Sequence, residues 1–200
     1  MFGSNGEREL QRTWGSEERA LRFYDRQVRD HLTEKMQTLI QRQEMVFVST
    51  ADAKGNCDCS PRFGQPGFVE IVSPTRIAYP EFRGNGVFAS LGNISENPHI
   101  GLVFVDFLAT TVGLHVNGTA RIRSPDEATT SLESSDYGDS SRGSLLERWV
   151  VIDVEEAYIH CAKHVPRLQK LEKRIRWGTD DPKAKSDHFF LSDEPELFRG

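Results

Sequence analysis

The sequence predicts a mainly β domain: a small closed barrel of six or seven strands with helices at its periphery. Three observations predict it. Short apolar or alternating runs rich in Val, Ile and Phe recur from Met45 onward, with turn residues between them. Asp52-Ala53-Lys54-Gly55-Asn56 is a hairpin-turn signal between two such runs. Strands and helices do not alternate, and no Gly-x-Gly-x-x-Gly follows a strand, so a doubly wound dinucleotide fold is rejected. Short strands, short turns and few helices suit a closed barrel.

The elements follow in order. Residues 1–15 are polar and glycine-containing and read as a loose arm. From Ser16, a possible cap, Leu21, Tyr24, Val28, Leu32, Met36 and Leu39 recur at spacings of three and four. This predicts one long helix, or two with a break near His31. The period changes at Met45, and residues 45–50 and 57–62 form the first hairpin. Residues 68–72 and 75–79 form a second around Ser73-Pro74. Residues 87–96 read as a short helix stopped by Asn97-Pro98, because proline disfavours helix in the residue before it. Residues 99–107 and 112–122 are two longer strands. Ser124-Pro125-Asp126-Glu127 is a capping box. Residues 132–144, rich in Ser, Asp and Gly, read as an exposed loop, and residues 148–155 as the last core strand. Residues 161–176 look helical, broken or bent at Pro166. The polar tail 178–200 carries Phe189-Phe190-Leu191 and Leu197-Phe198, which suit packing on the body or on a partner subunit. Residues 16–177 are thus expected to form one domain.

The chain has 200 residues, 37% of them hydrophobic with 12 Phe, which suffices for one sizeable core. A formal net charge of −5 argues against a nucleic-acid binder. No apolar run is long enough for a transmembrane helix, and the first residues lack the apolar core of a signal peptide. The expectation is a cytoplasmic protein that acts without membrane or nucleic acid. Three cysteines do not make a disulfide framework.

Chemistry concentrates between Cys57 and Pro98. Arg62 and Arg83 each sit at a strand end, and Arg83 precedes a predicted helix start. A helix start offers free N–H groups and a positive dipole end, which suit a phosphate. A guanidinium adds a planar fork of donors. The motifs around the arginines are Thr50-Ala51-Asp52-Ala53-Lys54-Gly55, Cys59-Ser60-Pro61-Arg62, Gly64-Gln65-Pro66-Gly67-Phe68, Arg83-Gly84-Asn85, Asn93-Ile94-Ser95-Glu96-Asn97-Pro98 and Val116-Asn117-Gly118-Thr119-Ala120. In this order and spacing, over roughly residues 43–170, the sequence resembles the pyridoxamine 5'-phosphate oxidase-related, FMN-binding split-barrel family, in its divergent branch.

The resemblance implies an FMN-binding split-barrel flavoprotein, an oxidoreductase on a small molecule, with flavin at the interface of a homodimer. It implies cofactor contacts from Ser60, Pro61, Arg62, Tyr79, Pro80, Arg83, Gly84, Asn85 and Asn117. In it Tyr79 and Pro80 lie along the ring, Arg62 touches phosphate or ring, and Arg83 and Asn85 capture the phosphate. Trp177, with Arg174 and Arg176, could approach the flavin from a partner chain. The oxidase pattern has a Ser-Arg-Lys cluster where this chain has Phe82-Arg83-Gly84-Asn85, one phosphate-binding cation fewer. That points away from pyridoxamine phosphate as substrate. A non-catalytic flavin-binding or storage module, and a haem- or deazaflavin-binding member of the fold, are the alternatives.

His115 and Asn117 share a strand face and could reach a ligand or a dimer contact. Cys57, Cys59, His160 and His164 are zinc-ligand types, His160 and His164 sharing a face if helical, but Cys-x-Cys is not the usual spacing. No metal is expected. No Ser-His-Asp or Cys-His nucleophile can be assembled, and no catalytic residue is assigned.

Overall fold

The computed structural model describes residues 2–128, 146–172 and 175. The order is α1 (Asn5–Thr13), α2 (Glu17–Gln27), α3 (Glu34–Gln41), β1 (Met45–Ala51), β2 (Cys57–Phe63), β3 (Glu70–Ser73), β4 (Arg76–Phe82), α4 (Ala89–Glu96), β5 (His99–Val105), β6 (Gly113–Arg123), α5 (Pro125–Ala128) and β7 (Leu146–His160). The seven strands form one antiparallel sheet in the order β2-β1-β5-β6-β7-β4-β3.

The sheet is curled, and one ion pair shows it. The Arg62 Nε on β2 donates to Glu81 Oε1 on β4 over 2.7 Å. In the sheet order these strands are five positions apart, roughly 24 Å in a flat sheet at about 4.8 Å per strand. Only a sheet whose ends approach one another brings the two side chains into contact. The result is the split barrel expected from the sequence, with its seam between the β2 and β4–β3 ends.

Alternation along each strand fills the barrel. Val46 and Val48 of β1, Leu102 and Phe104 of β5, Leu114 and Val116 of β6, Val150 and Ile152 of β7 and Ile77 and Tyr79 of β4 make one buried cluster. Met36, Leu39 and Ile40 of α3 and Ile94 of α4 pack against it. A shift of register between Asn117 and Gly118 lets β6 follow the curvature. Gly118 is required there, because a Cβ would lie 2.0 Å from the Asp153 carbonyl oxygen.

Several sequence expectations are corrected. The N-terminal segment read as a loose arm carries α1. Its Ser4–Glu7 capping box satisfies the first N–H groups, although none of the helix is buried. Of the two readings of the long helical pattern, the one with a break near His31 holds: α2 and α3 are separated at residues 28–33. There Val28 is extended, and Arg29 pairs with Ala157 of β7. Residues 161–172 are not helical: β7 runs on to His160, a single 3-10 turn spans Ala162–His164, and Leu168 N–H then bonds to Phe107 O. β7 is also longer than the strand expected over 148–155, since most of its length pairs with β6. The loop expected over 132–144 and the tail 178–200 lie outside the described residues.

Candidate functional site

The seam opens into a cavity of about 420 Å³, within the roughly 300–1,000 Å³ range of small-molecule sites. Its walls come from β2, β4, the loop 84–88 and the start of α4, and Glu147 of β7 joins them. The local sequence explains each wall. On β2, Asp58, Ser60 and Arg62 stand opposite Thr50, Val48 and Val46 of β1 and therefore face inward. Asp58 Oδ2 accepts from Ser60 Oγ at 3.3 Å and from Ser90 Oγ of α4 at 2.9 Å. This fixes the α4 start against β2. Asn85 Oδ1 accepts from Val87 N–H at 3.0 Å, a side-chain turn that shapes the loop. Phe88 then adopts a left-handed backbone, φ 56°, and α4 begins with no side-chain cap. Its first-turn residues Ala89, Ser90 and Leu91 line the cavity.

Electrostatics are set by the clasp across the seam. The Arg62 and Glu81 side chains are 20% and 14% exposed, too buried for either charge to stand alone. Burial pushes the Glu81 carboxyl above its usual range; Arg62 pulls it back and Glu147 pushes it up again, leaving it raised. Arg62 presents Nε to Glu81 and Nη1 to the Pro61 carbonyl, so Nη2 has no partner among the described residues.

The structure brings six of the nine expected cofactor residues to this cavity: Ser60, Pro61, Arg62, Pro80, Gly84 and Asn85. Three lie elsewhere. Tyr79, expected along a bound ring, is wholly buried in the barrel core instead, because β4 alternation turns it inward. Its hydroxyl lacks a hydrogen-bond partner among the described residues, and burial, with a smaller push from Glu81, raises the phenol far above its usual range. Arg83 is exposed and is not on the cavity wall, though its neighbours Phe82 and Gly84 are. Asn117 faces outward, donates to Glu156 Oε1 at 3.1 Å, and borders a second, shallow hollow with Cys57, Cys59 and His99. Arg174, Arg176 and Trp177 lie outside the described residues.

The zinc alternative does not assemble. Cys57 and Cys59 are on β2 while His160 ends β7, four positions away in the sheet, and His160 and His164 share no helix. Among the described residues no three His, Cys, Asp or Glu side chains group for a metal. Sequence reasoning missed Glu81, Glu147 and Ser90. Glu81 was within reach, since it lies two residues after Tyr79 on the same strand and so shares its face.

Comparison with known proteins decides the family. A family model described as pyridoxamine 5'-phosphate oxidase matches residues 32–161, well over half of the chain. The chain belongs to the pyridoxamine 5'-phosphate oxidase family. The match begins just before α3 and ends just after β7, so it contains the barrel and the seam cavity. Solved structures similar to the chain include HupZ of Group A Streptococcus. It is 23% identical, with 69% of this chain and 99% of that one covered and a TM-score of 0.48. General stress protein 26 of Bacillus anthracis is 16% identical, covering 63% and 91%, with a TM-score of 0.45. An FMN-binding protein of Syntrophomonas wolfei is 14% identical, covering 76% and 97%, with a TM-score of 0.45. No curated protein matches the chain. Among the described residues no helix is long and apolar enough to cross a membrane.

Proposed function

We propose that this member of the pyridoxamine 5'-phosphate oxidase family binds FMN in the seam cavity and acts as an oxidoreductase on a small molecule. The observation that carries the reading is the meeting of Ser60, Arg62, Asn85 and the uncapped start of α4 in one cavity. An anion there would find Arg62 Nη2, the Asn85 amide and the N–H groups of the first turn of α4. Arg83 would reach a phosphate from the rim. Phe63, Phe82, Val87, Phe88 and the prolines 61 and 80 give apolar surface for a planar ring. Phe63, Val87 and Phe88 are 52%, 70% and 53% exposed, more than a buried role in the chain alone would leave them.

Bound FMN would supply the hydride and electron chemistry. The chain's own residues would orient it and hold a proton. Among the described residues the cavity wall carries no His, Cys or Lys, so a proton near a reacting atom would be held by Glu81 or Glu147. Glu81 is the better placed, since burial already favours its protonated form. A homodimer with the cavity at its interface belongs to the same reading. The outward faces of β1 and β5 carry half-buried Phe47, Val103 and Val105, which suit cover by a second copy.

The purified protein is expected to be yellow, to release FMN and not FAD on heating, and to scatter light as a species twice the 22.7 kDa chain. A protein with no flavin absorbance that fails to quench added FMN would overturn the cofactor. Bound flavin that no nicotinamide donor reduces would favour the storage reading, and a Soret band or a deazaflavin spectrum would replace FMN.

A further inference from the structure

A second cluster lies away from the seam, on the outer face of β6 and β7. In the ladder His115 is opposite Tyr158, and Gly113 is opposite His160. A Cβ at Gly113 would come within 2.8 Å of the His160 Cβ, so glycine leaves the space in which His160 leans toward His115. His115 Nε2 and His160 Nδ1 stand 3.3 Å apart, with ring centroids 5.4 Å apart. The His115 ring lies flat on Tyr158, centroids 4.6 Å apart and planes within 8°. Phe23 of α2 braces Tyr158 edge-on at 5.5 Å. Stacking therefore fixes His115, while the exposed His160 can turn to meet it.

We propose that His115 and His160 form a two-histidine chelate for a transition-metal dication of the zinc and copper class, its other positions open to water or a small ligand. Two imidazole nitrogens at metal–nitrogen bonds of about 2.0–2.1 Å on a tetrahedral centre stand about 3.3–3.4 Å apart. The separation of His115 Nε2 and His160 Nδ1 already has that value. Both rings ride on adjacent, hydrogen-bonded strands, so little chain entropy is lost when a metal joins them. Among the described residues no further His, Cys, Asp or Glu completes the set. The site is thus of the open kind, unlike a closed four-ligand structural centre. A bare hydrogen bond between the rings that only ties the strands together is the competing account, and it predicts no metal affinity.

The test uses the full chain with Cys57, Cys59 and Cys161 replaced by Ser, because exposed thiols compete for metal. Zinc chloride is titrated in by calorimetry near neutral pH. The expected result is one zinc per chain, with His115→Asn and His160→Asn each weakening it at least roughly tenfold. His99→Asn and His164→Asn should leave it unchanged. His160 is exposed, so His160→Asn keeps the fold and decides the question if His115→Asn does not fold. No zinc uptake by the parent, or uptake by His160→Asn as tight as the parent's, overturns the chelate.

Discussion

Two loops of this molecule hold the same uncommon backbone in different ways. Thr111, between β5 and β6, and Phe88, before α4, are the two non-glycine residues in the left-handed region among the described residues, at φ 55° and 56°. Around Thr111 the chain fastens itself. Asp106 is 7% exposed and accepts from Ala109 N–H, Thr110 N–H and Thr110 Oγ1 at 2.7–3.0 Å. Its own N–H bonds to Val112 O, and its carbonyl accepts from Thr111 N–H. Phe88 sits instead on the wall of the seam cavity, half exposed, at the head of a helix with no side-chain cap. Strain in the first loop is absorbed by internal bonds. In the second it borders a cavity where a ligand can supply the missing partners.

The carboxylates of the two regions repeat the lesson. Burial pushes the Asp106 carboxyl up, but hydrogen bonds from Thr110 and the turn N–H groups outweigh it and hold the group below its usual range. Glu81 has one cation and no backbone donor, and burial wins. One carboxylate is biased toward its charged form, and the other toward its protonated form.

The contrast can be broken from either side. Asp106→Ala should have the largest effect on stability, on the order of 2–3 kcal/mol in urea unfolding, because it strands three part-buried donors. It should leave the ratio of FMN to riboflavin affinity unchanged; a change in that ratio would mean that the anchor loop serves the ligand. Arg62→Ala should weaken FMN binding about ten- to a hundredfold, the worth of a charge-assisted hydrogen bond. It should also destabilise the chain, and adding Glu81→Gln should restore part of that loss by removing the stranded charge. A double variant no more stable than Arg62→Ala would show that the clasp across the seam carries no coupling.

Arg83→Ala should weaken FMN by less than tenfold, given its exposure, and riboflavin not at all, since the two ligands differ by the phosphate. Equal losses would assign Arg83 to the ring or to the fold. Asn85→Ala should act in the same sense and more weakly, because a neutral amide is a poorer donor to phosphate. The smallest effect concerns pH. A carboxyl whose folded pKa is raised stabilises the fold fully below its unfolded value of about 4.5, and that contribution fades as pH rises through the folded value. The stability of the parent relative to Glu81→Gln should therefore fall with pH from about 4.5 upward. Asp106 has the opposite sign, its contribution being lost as pH falls below about 3.8. A flat difference for Glu81→Gln would mean that Arg62 fully offsets its burial.

Local chemistry and the barrel class were legible in the sequence, and the side chains that meet across the seam were not. The hairpin at Asp52–Asn56 and the strand alternation could be read because turn residues and period-two patterning act over a few positions. Six cofactor candidates could be placed together because they flank two strand ends. The inward turn of Tyr79 was missed because its family role outweighed its place in the β4 alternation. The clasp between Arg62 and Glu81 depends on the four strands between them curling round, which no local pattern encodes. Helix was expected after His160. The chain instead stays extended, with Leu168 bonded to Phe107 and Lys170 paired with Glu44 at 2.7 Å, contacts distant in sequence.

A barrel left open along a seam has two strand edges, and exposed edges invite pairing with other chains. Here both are blunted. β3 has only four residues, too short to template a ladder. β2 carries Pro61, which offers no N–H to an incoming strand, and the charged residues Asp58 and Arg62. The same proline forms part of the cavity wall. The residue that shapes the pocket is therefore also one that keeps neighbouring molecules from stitching themselves onto the sheet, so the gap stays open to something smaller than a protein strand.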